Sequence, residues 1–362
     1  MMRKRKMNIM LCFLAMTIVV AGCAKSTATN HADAEVKVAE SKPDANATTT
    51  KKVVSTSGKE VELPGKITRV VNTWPSSATM MIFLGAGDKL VGVHKYVKTL
   101  PFNKLIYPKL EQIPTAEENP EELLKLDPEV ILTASDDNIK SYTQVGLKGV
   151  NLMFNNYKTM KESVSALGDI LGGDYKSKTD RLVAYIDGNL KKVQDTFKNL
   201  REEEKPVVYY AVDNMYSTTG AGTIMEEWVT NGGGKFATSD LGKGMRVTVT
   251  PEDILKKNPD IIVVSGGEGS KKVVQSFKTT PEWSEIKAVK NNKIFVIPSG
   301  CFAWDRFGAE SALQILWAAA TFHPDLFVMD MKEETRKFYK EYSNFDMTDQ
   351  QLEQLLKGEV VK

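Results

Sequence analysis

Cysteine and histidine are scarce in this chain of 362 residues, three of each. Cys12 and Cys23 sit close to the N-terminus, so Cys301 stands alone in the rest, which excludes an intrachain disulfide or a thiolate metal cluster there. Beyond His31 only His94 and His323 remain. A bare transition metal asks for three or four protein ligands, so a closed site for a naked ion is not expected. The chain also lacks a Gly-x-Ser-x-Gly elbow, a His-Glu-x-x-His pair and a Gly-x-Gly-x-x-Gly turn. The stretch Ser265-Gly-Gly-Glu-Gly-Ser-Lys271 has the wrong glycine and lysine spacing for a phosphate loop and reads as a turn after a strand. No spacing rule joins Cys301 to His323, so an enzyme is not expected. Neither sign of charge dominates, 48 basic residues standing against 46 acidic, and nothing points to nucleic acid. Only one long apolar run exists, Ile9 to Val20, too short for an uncleaved membrane helix.

What is present begins at that run. Arg3, Lys4, Arg5 and Lys6 precede it, the charge arrangement of a secretory signal. It ends in Val20-Ala21-Gly22-Cys23, which resembles the bacterial lipobox. That resemblance implies cleavage after residue 22 and acylation of Cys23, with each buried methylene adding ~0.8 kcal/mol to membrane attachment. Losing the signal takes the basic residues to 44 against 46 acidic, a formal charge of −2. The following stretch is rich in Ala, Thr, Ser, Asn, Lys and Glu and reads as a disordered tether over residues 23–52. The expected address is extracytoplasmic, lipid-anchored on the periplasmic side or the outer surface.

The remainder has the makings of a globular protein, the whole chain being 42% hydrophobic, 26% charged and 8% aromatic. Its strongest internal feature is a repeat that aligns without a gap: Asn119-Pro-Glu-Glu-Leu-Leu-Lys-Leu-Asp-Pro-Glu-Val-Ile-Leu and Thr250-Pro-Glu-Asp-Ile-Leu-Lys-Lys-Asn-Pro-Asp-Ile-Ile-Val. Each copy predicts a capped helix with proline at its first position and acids in its first turn. Pro128 and Pro259 stop the helices. The β-branched runs after them predict strands buried on both faces of a parallel sheet. Further strands are expected at Val70-Val71, Leu90 to Val93, Val207 to Tyr210 and Ile294 to Ile297, alternating with helices such as Ala78 to Leu84 and Thr223 to Val229. Apolar residues at Leu182, Tyr185, Ile186, Leu190, Val193 and Phe197 follow helical spacing and predict one long bridging helix. Thr348 and Gln351 form a capping box for a last helix. The fold class is therefore α/β: a lobe over 53–175, a bridging helix over 176–204, and a second lobe with terminal helices over 205–362.

The lipobox, the paired Pro-Glu helices, the two α/β lobes and the bridging helix together resemble the substrate-binding proteins of iron-siderophore, haem and cobalamin ABC importers, the class III periplasmic binding proteins. The likeness runs from about Val53 to Gly358. It implies a ligand cleft between the lobes and a permease dimer with its ATPase as partner. It further implies that one glutamate at the start of a helix on each lobe, here Glu121 and Glu252, docks on the permease, and that the protein works as a monomer.

A cleft between such lobes lies at the carboxyl ends of the strands. The segments there hold Trp74, His94, Tyr96 and Tyr216, and then Trp304 and Arg306. Trp74 and Trp304 are expected to wall the cleft from opposite lobes, with Arg246 and Arg306 pairing with negative charge on the ligand. The competing reading is that the tryptophans cover their own lobes and that Asp305 neutralises Arg306. His94 is the one candidate for direct metal contact, and His323 reads as structural. Among ligands implied by the resemblance, an anionic iron(III) chelate fits the Trp and Arg content, with haem, cobalamin or an oxyanion such as molybdate as alternatives. No permanently bound cofactor is expected.

Overall fold

The computed structural model describes residues 49–361. Cys23, the signal and residues 23–48 of the expected tether lie outside them. Thr50–Val54, whose first three residues the composition had placed in the tether, form a strand paired antiparallel with Glu60–Pro64. Val53 and Leu63 on this hairpin point into the core, and burial of those two side chains holds it down.

Two four-stranded parallel sheets follow. The first runs Leu90–Val93, Val70–Asn72, Val130–Thr133, Gly149–Asn151, and the second Ile294–Val296, Ile261–Val264, Val207–Ala211, Lys235–Phe236. Val130–Thr133 and Ile261–Val264 are buried along their whole length, as their unbroken apolar sequences predict for strands covered on both faces.

The repeat explains why these two strands are central. Asn119 accepts the backbone N–H groups of Glu121 and Glu122 at 3.0 and 3.3 Å, and Thr250 forms a capping box with Asp253. Both helices are short, Pro120–Leu124 and Pro251–Lys257. The chain turns at Asp127 and Asn258, both left-handed with φ of 45° and 44°, a conformation that short polar side chains tolerate. Glu129 then accepts the N–H groups of Thr68 and Arg69, and the aligned Asp260 accepts that of Val207. Each acid thus clamps the start of the neighbouring strand.

Gly173–Phe197 is the long bridging helix. It ends before the expected residue 204, and Glu202–Glu204 form a separate tight turn. Leu182, Ile186, Asn189, Val193 and Phe197 are its buried face. Asn189 Nδ2 donates to the Ala312 carbonyl at 2.8 Å, and Tyr185 donates to Glu334 at 2.6 Å. The helices Ser311–Phe322 and Met331–Ser343 of the second lobe are thereby fixed to it.

Candidate ligand cleft

The strands deliver their carboxyl ends to a common cavity of about 810 Å³, a size suited to a small organic ligand. Trp74 follows the strand Val70–Asn72, and Tyr96 follows Leu90–Val93. On the other side Gly266–Glu268 follow Ile261–Val264, and a loop from Ser299 to Phe307 follows Ile294–Val296. Residues from all four segments line the cavity, joined by Glu359–Val361 at the end of the chain.

The walls are aromatic. Trp74 and Phe307 meet edge to face at 5.9 Å, and Tyr96 and Phe302 at 6.2 Å. Ser76 Oγ donates to the Phe307 carbonyl, so the loop touches the helix Pro75–Phe83 of the other lobe. Phe307 takes a φ of 46°. For a bulky aromatic residue this is a strained backbone, held by packing against Trp74 and Phe154. Under the loop the Glu310 carboxylate accepts the N–H of Cys301 at 2.7 Å and the hydroxyl of Tyr339 at 2.9 Å. Burial nevertheless pushes Glu310 above its ordinary pKa. Gly300 is obligatory beside this pair, because a Cβ there would stand 1.8 Å from the Tyr339 hydroxyl oxygen.

Among the described residues, Arg306 is the one cation on the cavity wall. Its Nε donates to Asp305 Oδ1 at 2.9 Å and its Nη2 to Oδ2 at 3.1 Å. Nη2 also reaches Ser265 and the Tyr210 hydroxyl, and Tyr210 in turn donates to Asp305 at 2.6 Å. Asp305 is fully buried, which alone would raise its pKa, but the guanidinium and these hydrogen bonds hold it below the ordinary aspartate value. The acid that competed for Arg306 in the sequence therefore has it. Even so, Arg306 keeps 24% of its side chain exposed on the cavity, and among the described residues its Nη1 makes no hydrogen bond. Glu268 and Glu359 are the acids on the wall, the latter 3.1 Å from Lys271.

Of the residues proposed from sequence, the structure brings Trp74, Tyr96 and Arg306 together. Trp304 does not join them. It is wholly buried in the core and does not line the cavity. Arg246 is exposed just before the short strand Val247–Thr248 and does not line the cavity. Tyr216 packs on Trp283 at 5.9 Å within its own lobe. His94 does not line the cavity; its Nδ1 accepts the N–H of Tyr96 at 3.2 Å and caps the helix Lys95–Thr99. Phe302, Phe307 and Glu359–Val361 went unread in the sequence. The phenylalanines were visible as part of the aromatic loop, whereas nothing marked the terminal segment. Glu121 and Glu252 are exposed, and among the described residues neither is in an ion pair. No group of three or more His, Cys, Asp or Glu side chains that would hold a metal occurs among the described residues, and no helix there is long and apolar enough to cross a membrane.

A family model described as periplasmic binding protein matches residues 70–300. The chain is 28% identical over 304 residues to the uncharacterized ABC transporter substrate-binding lipoprotein YvrC of Bacillus subtilis, covering 81% of this chain and 90% of the relative. It is 27% identical over 269 residues to the high-affinity heme uptake system protein IsdE of Staphylococcus aureus, covering 71% and 87%. Two solved structures share the fold. A periplasmic solute binding protein from Veillonella parvula gives a TM-score of 0.74 at 24% identity, covering 85% of this chain and 97% of that one. The molybdate-binding protein MolA of Haemophilus influenzae gives 0.72 at 21%, covering 82% and 99%.

Proposed function

The chain belongs to the periplasmic binding protein family and is a solute-binding protein of an ABC importer, and from that premise we propose that its cleft captures an iron(III)-siderophore-type chelate of low net negative charge. The observation that carries this reading is the pairing of an aromatic wall with a single cation, among the described residues, that a buried acid already balances. Aromatic edges and faces suit the organic shell of a chelate, and Arg306 Nη1 is left to take one acidic group. A small bare oxyanion would leave most of an 810 Å³ cavity unfilled. Glu268 and Glu359 disfavour a ligand with several free negative charges. Binding proteins of ABC importers work with a permease and an ATPase. For this chain Glu121 and Glu252 are the proposed contacts, one per lobe, with Cys23 as the lipid anchor and a single copy as the working unit.

A second reading, haem, draws on Tyr96. Its ring is 46% exposed at the cleft, and a tyrosine can ligate haem iron. The heme uptake relative adds to this reading.

Trp74 supplies the assay. Purified protein titrated with ferric hydroxamate, ferric catecholate, ferric citrate, haem and cobalamin should show saturable fluorescence quenching by a ferric siderophore and none by citrate. A haem Soret shift lost in Tyr96→Phe would favour the second reading. Absence of saturable binding to every compound would refute both.

A further inference from the structure

At the other end of the first lobe, Lys66, Lys89 and Lys178 line a second cavity of about 490 Å³, and Lys51 stands at its rim. Gly65 and Lys66 precede the strand Val70–Asn72, and Lys89 precedes Leu90–Val93, so this cavity lies at the amino ends of the strands, away from the cleft. Three of the ammonium groups reach backbone carbonyls, Lys51 that of Ile170, Lys89 that of Ile67 and Lys178 that of Leu84. Those contacts explain where the lysines point. They do not explain why, among the described residues, none of the four has a carboxylate within ion-pair distance. Asp174 lines the cavity; Asp169 is near Lys176, and Glu129 is held by backbone N–H groups. Burial lowers the pKa of Lys51, Lys89 and Lys178, and Lys66 adds its repulsion to Lys89. Lys66 is exposed and makes no hydrogen bond among the described residues. The chain enters the fold at the same place, since the Thr49 carbonyl accepts the N–H of Gly65 at 2.6 Å. Thr49, the first described residue, therefore stands at the rim of this basic cavity.

We propose that the cavity binds the phosphate of an anionic phospholipid headgroup, resting the cleft-remote end of the first lobe on the membrane that Cys23 is proposed to enter. Undocked protein then lies with its cleft away from the bilayer, and engaging the permease requires it to turn over. The proposal borrows the anchor reading only for the identity of the membrane and is independent of the cleft ligand.

The test uses the mature chain with Cys23→Ser, which carries no acyl group, sedimented with vesicles of phosphatidylcholine alone or in equal mixture with phosphatidylglycerol. Binding is expected only to the mixture, weakening with salt and falling about fivefold in each of Lys66→Gln and Lys89→Gln. Lys278→Gln, on the other lobe, should match the parent. Lys66→Gln disturbs no internal contact, and ligand quenching at Trp74 should survive it, which separates failure of this proposal from failure of the cleft reading. Equal binding to both vesicles, or binding indifferent to Lys66 and Lys89, overturns the proposal. Inorganic phosphate that displaces the protein from vesicles as readily as salt at equal ionic strength supports the lipid; displacement at far lower concentration assigns the cavity to a soluble anion instead.

Discussion

At the scale of single residues, the cleft loop shows what composition conceals. Trp304, Phe302 and Arg306 are close in sequence, yet Trp304 is core while its neighbours line the cavity. An irregular loop has no period, so nothing in the sequence says which side chain turns inward. The consequence is testable with two variants. Trp304→Ala removes a wholly buried indole and should cost ~3–5 kcal/mol of stability, read as a large fall in melting temperature. Tyr96→Ala removes a half-exposed ring and should leave the melting temperature close to the parent's while weakening chelate binding about tenfold; unchanged affinity would take Tyr96 out of the site. Glu310 supplies a pH signature. Burial raises its pKa above the ordinary 4.5, so just above that pH the folded protein keeps a proton that the unfolded chain releases. Stability from this group is therefore lost as pH rises past 4.5 toward the folded value. Glu310→Gln cannot titrate, and its melting temperature relative to the parent should climb over that interval. A difference that is flat with pH would mean that Glu310 ionises in the native protein as it does in the unfolded chain.

At the scale of elements, the gapless repeat was the most informative part of the sequence. Its caps, its prolines and its two buried strands all stand where their chemistry put them. Local rules suffice there, because a capping side chain and its N–H groups are two or three residues apart. What the repeat did not disclose is that Glu129 and Asp260 clamp the neighbouring strands, since those partners are distant in sequence. The short strand Gly149–Asn151 and the helix Tyr157–Leu171 were likewise unread; three residues offer too little pattern to name a strand. Each repeated helix runs back along its sheet, so its N-terminus, with Glu121 or Glu252, lies toward the end where the cleft opens. Changing both glutamates to alanine should abolish stimulation of the ATPase in a reconstituted importer and leave ligand affinity intact. Loss of affinity as well would mean that these acids shape the cleft rather than the docking surface.

At the scale of the whole molecule, one apolar core runs from Val53 of the hairpin through the bridging helix to Val361 at the chain's end. Tyr157 ties the lobes twice, its N–H to Glu227 at 2.6 Å and its hydroxyl to the Ser311 carbonyl at 3.2 Å. Shared burial of this kind makes the lobes unfold together. Urea denaturation should show one transition, coincident by tryptophan fluorescence and far-ultraviolet circular dichroism; two separated transitions would show that the bridging helix does not couple them. The same packing predicts that distances between spin labels on the two lobes change by only a few ångströms on ligand binding. The sequence by itself determined the α/β class, the paired capped helices, the central strands and the long helix, because these follow from periodicity and from contacts within a few residues. Only the tertiary structure decided that Trp304 is core, that Asp305 already holds Arg306, that Glu359–Val361 wall the cleft, and that three lysines line a second cavity with a fourth at its rim. Those facts depend on which distant segments meet and on which side a loop residue faces, and no local pattern encodes either.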